Sequence, residues 1–163
     1  MKSILITGGL GFQGTHLARA LFHQGHKVLL FNTPSRRARG VWEKIREEAR
    51  QAGASERLSC IWGSVTDSHV MFPVVEGLDV VVHLAAWANP ARCAEAPSDA
   101  MRVNVFGTQQ VLDAFNQEVH RCRALDMRDP LLIHGSSCEG YGPALGEIQQ
   151  EERAPMRPPS MYA

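Results

Sequence analysis

Apolar residues fall in short runs separated by longer stretches of helical spacing. Five runs predict strands at about Ser3 to Thr7, Lys27 to Asn32, Leu58 to Trp62, Val80 to Leu84 and Leu131 to His134. Several are nearly continuous in Val, Ile and Leu, as strands buried on both faces are. Between them, Leu17, Ala20, Leu21 and Gln24 sit on neighbouring turns of a helix from about Phe12 to Gln24, with Gly25 as its stop. Trp42, Ile45, Ala49 and Ala52 mark a surface helix over Val41 to Ala52, with charged residues around the rest of the wheel. A long helix is expected from Asp99 to about Arg121, turning Val103, Phe106, Val111, Leu112, Phe115 and Val119 inward, with Gly107 allowing close approach. From Gly142 to Pro159 the chain turns rich in Gly, Pro, Glu and Gln and reads as a loop. Strands alternating with helices predict βαβ units and a parallel sheet covered on both sides.

The bulk numbers narrow the function classes. The 163 residues suit one domain, and 17 Lys plus Arg balance 17 Asp plus Glu. A neutral chain has no global field to draw nucleic acid or an anionic membrane, so neither is an expected partner. Cys60, Cys93, Cys122 and Cys138 form no C-x-x-C pair, which argues against a zinc site or a disulfide framework and fits a reducing cytoplasm. The apolar run at the N-terminus is too short for a signal-peptide core or a membrane span.

The strongest local signal is Thr7-Gly8-Gly9-Leu10-Gly11-Phe12-Gln13-Gly14, which joins the first strand to the first helix. Gly8, Gly11 and Gly14 stand in G-x-x-G-x-x-G spacing. Glycines so placed permit a tight turn, let the backbone approach a pyrophosphate and let the helix pack on the strand, while the helix start favours an anion. Asn32 ends the second strand where a ribose-binding acid is expected, and Arg36, Arg37 and Arg39 follow. An amide there removes the repulsion of a 2'-phosphate and guanidinium groups suit one, so NAD and NADP both stay open. The fold class implied is α/β, a Rossmann-type doubly wound parallel sheet.

Six segments together resemble the extended short-chain dehydrogenase/reductases, the family of nucleotide-sugar epimerases, dehydratases and decarboxylases. They are the glycine turn; Gly63-Ser64-Val65-Thr66-Asp67, similar to G-D-x-x-D with Ser64 for the first acid; His83-Leu84-Ala85-Ala86, similar to H-x-A-A; Asn104-Val105-Phe106-Gly107-Thr108, similar to N-V-x-G-T; Ser136-Ser137-Cys138-Glu139-Gly140-Tyr141-Gly142, similar to S-S-x-x-x-Y-G; and Pro159-Ser160-Met161-Tyr162-Ala163, similar to the opening of P-x-S-x-Y-x-x-x-K. The resemblance implies cofactor contacts at Gly8, Gly11, Phe12, Gln13 and Gly14, at Asn32, Arg36 and Arg37, at Ser64 and Val65, at Leu84, Ala85 and Ala86, and at Asn104. It implies catalytic roles for Tyr162, Ser137 and Glu139, and no metal. Cys138 stands where certain dehydratases have an aspartic acid, which puts that version of the chemistry in doubt.

The expected protein is the cofactor-binding portion, residues 1 to 163, of an NAD(P)-dependent enzyme acting on a nucleotide-activated sugar. The sheet is expected to be truncated before its last strands and the C-terminal substrate portion. Lacking the lysine four residues beyond Tyr162, it is expected to be inactive alone. The alternative is a stand-alone NAD(P)-binding module that forms a homodimer or pairs with a partner completing the sheet.

Overall fold

A computed structural model describes residues 1–143, 155–160, 162 and 163. All five expected strands form: β1 (Ser3–Thr7), β2 (Lys27–Asn32), β3 (Leu58–Trp62), β4 (Val80–His83) and β5 (Leu131–His134). They make one parallel sheet in the order β3-β2-β1-β4-β5. The order reverses between β1 and β4, and in such sheets the crevice beyond the carboxyl ends at that reversal is the binding position.

Strand side chains alternate between faces, and the sheet divides the core accordingly. Ile4, Ile6, Val28, Leu30, Val80 and Val82 pack with Ala18, Phe22, Ala38, Ile45 and Ala49 on one side. Leu5, Phe31 and Val81 pack with Met71, Val74, Val75, Val111 and Ala114 on the other. The first layer comes from α1 (Phe12–His23) and α2 (Arg36–Gln51), tied together by Arg19 and Glu48. The second comes from α3 (Ser68–Val75) and α6 (Thr108–Ala124).

The helices depart from the expected pattern in instructive ways. α1 buries Gly14, Thr15, Ala18 and Phe22, whereas Ala20 and Gln24 are exposed and Leu17 and Leu21 half-buried. Its glycine edge lies deepest on the sheet, and Leu17 and Leu21 pack at the margin of the same core. α2 begins at Arg36 rather than Val41, because the Ser35 hydroxyl caps it by accepting from the Ala38 N–H at 3.0 Å. α3 is not predicted by the apolar spacing; Asp67 caps it, and its mixed apolar run with Pro73 inside has no clear period.

The single long helix expected from Asp99 is instead α4 (Pro90–Glu95), α5 (Pro97–Met101), a π-helical turn over Arg102–Gly107, and then α6. Phe106 is 50% exposed, and the inward row is Gly107, Val111, Ala114, Glu118 and Cys122. The close approach expected at Gly107 is real, since a Cβ there would come within 2.6 Å of Val65 Cγ2. Buried Glu118 is fully partnered by Arg121, the Gly77 N–H and the Cys122 thiol, and the Arg121 guanidinium holds its carboxyl below the usual carboxylate range.

β5 departs from expectation too. Leu131 and Ile133 are 55% and 47% exposed, so one face of this strand is open. Of the loop expected from Gly142 to Pro159, residues 144–154 lie outside the described residues, and 155–159 carry no regular structure. Among the described residues no helix is long and apolar enough to cross a membrane.

Candidate active site

The loops that follow β1, β2, β3, β4 and β5 share the carboxyl edge of the sheet, and nearly every residue singled out in the sequence lies there. The glycine turn is at the centre. Gly8 has φ +66°, and a Cβ on it would lie 2.9 Å from the Ala85 Cα and N, so β1 and the loop after β4 touch at this point. On Gly14 a Cβ would lie 2.7 Å from the Gly8 carbonyl oxygen, which is why the helix can sit on the turn only with glycine there. Gly11 has an ordinary φ of −76°. A Cβ on it would approach the Gly8 carbonyl at 3.0 Å and otherwise stand over open space.

Gly11 caps α1 without a side chain, and the first turn carries no acid. The leading N–H groups of α1, on Phe12, Gln13 and Gly14, precede the first i to i−4 bond, which Thr15 makes to the Gly11 carbonyl at 3.1 Å. Gly11, Phe12 and Gln13 are exposed. An anion placed here would meet donors, the positive helix end and no competing carboxylate.

At the end of β2, Asn32 holds the turn from outside. Its Oδ1 accepts from the Leu10 N–H at 3.3 Å and its Nδ2 donates to the Thr33 carbonyl at 3.1 Å. Arg36 and Arg37 are exposed on the first turn of α2, and the Arg39 guanidinium lies 5.3 Å from the centre of the Trp62 ring. Ser64 hydrogen-bonds the Thr66 hydroxyl at 2.8 Å. Val65 is buried, with its side chain against Gly107, so only its main chain could face a ligand.

Past β4, Leu84 and Ala85 are half-buried and Ala86 is exposed. The Leu84 and Ala85 N–H groups both donate to the Thr7 hydroxyl, at 3.2 and 3.3 Å. Asn104 makes a two-way bond with one residue of the same loop. The Trp87 N–H donates to its Oδ1 at 2.7 Å, and its Nδ2 donates to the Trp87 carbonyl at 3.2 Å. Its amide therefore braces the cleft wall. His83 lies beneath, buried between Thr7 at 2.6 Å and Thr108 at 3.0 Å, with the His134 ring stacked at 5.3 Å. Burial, assisted by His134, pushes its pKa down to about 4.

The residues expected to carry catalysis follow β5. The Ser137 hydroxyl accepts from the Glu139 N–H at 3.2 Å and so caps the short turn Cys138–Tyr141. The chain returns onto this turn, where the Arg157 N–H donates to the Gly140 carbonyl at 2.9 Å and a Cβ on Gly140 would lie 3.8 Å from the Ala163 carbonyl oxygen. Tyr162, next to Ala163, is half-buried, as are Ser137 and Glu139. Met161 of the same motif lies outside the described residues.

Thr7 and Thr108 stand within the motif segments without a role assigned by them, and Trp87 stands outside all six. The available signal was a threonine at the end of an otherwise apolar strand, a position where a hydroxyl needs a partner.

Residues 5–163 match the family described as GDP-mannose 4,6 dehydratase. GDP-mannose 4,6 dehydratase 2 of Caenorhabditis elegans is 29% identical over 166 residues, 99% of this chain and 41% of that protein. The solved structure of dTDP-glucose 4,6-dehydratase from Streptomyces venezuelae with NAD and TYD bound is similar with a TM-score of 0.77 at 26% identity, over 98% of this chain and 47% of that one. UDP-glucose-4-epimerase from Stenotrophomonas maltophila, with bound NAD and formylated UDP-arabinopyranose, gives a TM-score of 0.82 at 23% identity, over 99% of this chain and 44% of that one, a likeness of fold. The chain spans less than half the length of these relatives. With the reversal point, the glycine turn and the family match in agreement, this chain belongs to the NAD-dependent epimerase/dehydratase family, the extended short-chain dehydrogenase/reductases.

Proposed function

We propose that this chain is the cofactor-binding portion of an NAD(P)-dependent epimerase or dehydratase acting on a nucleotide-activated sugar. The observation that carries the reading is the open turn at Gly11: exposed leading N–H groups, no acid, and no side chain over the helix start. Gly8 and Gly14 hold that turn in place, and Gly11 keeps its mouth clear for a diphosphate. Asn32 and the exposed Arg36 and Arg37 lie on the adenosine side and admit a 2'-phosphate. Leu84, Ala85 and Ala86 form the wall toward the nicotinamide end, braced from behind by Asn104.

When bound, the nicotinamide supplies the site that accepts and returns a hydride. The chain's own part is proton handling and orientation. In this reading Tyr162 takes the proton from a sugar hydroxyl, Ser137 hydrogen-bonds the reacting oxygen, and Glu139 serves a second proton transfer. The turn that joins Ser137 to Glu139 and the chain that returns beside Tyr162 support that grouping.

Calorimetry with NADH and NADPH tests the reading. The unaltered chain is expected to bind one or both, and Gly11→Val to weaken binding at least about tenfold, about 1.4 kcal/mol, with the thermal unfolding curve retained. A folded chain that gives no heat with either nucleotide at about millimolar concentration, or Gly11→Val binding as tightly as the parent, defeats it. The ratio of the two affinities reads the choice between NAD and NADP.

A further inference from the structure

His83 sits in a chain of hydrogen bonds whose protons can be assigned one at a time. The Thr108 hydroxyl donates to the Asn104 carbonyl four residues back, at 2.7 Å, as helical threonines do. With its only proton so used, it accepts from His83 Nε2 at 3.0 Å, which puts the imidazole proton on Nε2. Nδ1 is then an acceptor, and the 2.6 Å contact is a donation from the Thr7 hydroxyl. The lone pairs of Thr7 Oγ1 receive the Ala85 N–H and the Leu84 N–H, the latter shared with the Thr7 carbonyl at 3.1 Å. The reverse assignment aims three donors at the two lone pairs of Thr7 and leaves its own proton without a partner.

The chain of bonds begins and ends on one loop. At one end it holds the main chain of Ala85 and shares that of Leu84 with the Thr7 carbonyl; at the other, Asn104, whose carbonyl accepts from Thr108, holds Trp87 by its side-chain amide. The loop after β4 is clipped at both ends through a single imidazole. That loop is the one Gly8 touches.

We propose that His83 is a positioning residue of the dinucleotide cleft: as a neutral ring with its proton on Nε2, it fixes the Thr7 hydroxyl and through it the Leu84–Ala85 wall opposite the glycine turn. The proposal rests on the cofactor reading above. An imidazolium would add an N–H on Nδ1 pointing at Thr7 Oγ1, reversing that bond and displacing the two main-chain donors. Among the described residues the titratable group facing His83 is His134, stacked on it from β5; Thr7 of β1 and Thr108 of α6 are the other polar contacts.

Two measurements on the whole chain test this. Nitrogen NMR of chain labelled at histidine, without nucleotide, is expected to show His83 neutral and protonated on Nε2 from about pH 8 to about pH 5. Thr7→Val, which keeps the shape and removes the hydroxyl, is expected to weaken NAD(P)H binding about tenfold and to shift the His83 nitrogen signals, while Thr7→Ser restores both. A proton on Nδ1, or nucleotide affinity unchanged in a folded Thr7→Val, overturns the role. Should Thr7→Val fail to fold, Thr108→Val takes its place with the same expected losses, and the NMR of the parent chain decides the tautomer in either case. No binding by the unaltered chain overturns the cofactor reading and this role with it; binding together with a proton on Nδ1 overturns this role alone.

Discussion

β4 and β5 are nearly the same strand on paper: Val80-Val81-Val82-His83 and Leu131-Leu132-Ile133-His134, parallel, adjacent and paired residue for residue, with the two histidines in register. In the folded chain every residue of β4 is buried, whereas Leu131, Ile133 and His134 are exposed. Leu132 packs under α6 with the second core cluster, but no helix among the described residues covers Leu131 and Ile133. An apolar run of this kind states which strand is apolar, not how many of its faces are covered. That second fact belongs to the strand's place in the sheet. The histidines divide in the same way: one is locked in a proton-ordered chain of bonds, and the other stacks on it from the edge.

The largest effect expected from this contrast comes from a charge. Val81→Asp puts a carboxylate into a fully buried site and should cost about 4 kcal/mol or more, against about 1 kcal/mol for Ile133→Asp, as read by urea unfolding. Equal losses would mean that the open face of β5 is covered in solution.

Acid comes next. The folded value of His83, about 4, lies below the ordinary 6.5, so between these pH values the unfolded chain binds a proton that the folded chain refuses. Stability from this group is complete above about pH 6.5 and falls by about 3 kcal/mol on the way to about pH 4. Urea titrations across that window should show a shallower fall in His83→Asn than in the parent, and parallel curves would sink the assignment. The smallest effect is expected at the edge, where Ile133→Thr keeps a β-branched side chain at a half-exposed position and should shift stability by less than about 1 kcal/mol.

Legibility follows the same division. The five strands were readable because parallel strands declare themselves as apolar runs, and the glycine turn because φ and contact distances at Gly8 and Gly14 admit no other residue. Helix faces were less so. The leucine spacing of α1 predicts its core edge, yet the close seat of Gly14 on the turn sets Thr15, Ala18 and Phe22 deepest and leaves Leu17 and Leu21 at the margin. The apolar spacing of α2 starts only at Val41, whereas the helix starts at Arg36, where Ser35 caps it. The motif residues gather at one edge, while the contacts that Asn32, Val65 and Asn104 make within the chain are not legible in the sequence, because they are pairings across the fold. Thr7 meets His83 across 76 positions and His83 meets Thr108 across 25, separations that no local pattern encodes.

The π-helical turn from Arg102 to Gly107 is a matter of one surplus residue. A π turn widens the spiral to accommodate an insertion, and here it lets Asn104 reach Trp87 while Gly107 and Thr108 still face Val65 and His83. Shortening the stretch by a single amino acid would leave its composition almost untouched, yet swing everything upstream about a quarter-turn around the axis. The brace would then point elsewhere, so the length of this short span matters as much as its Asn104 and Gly107.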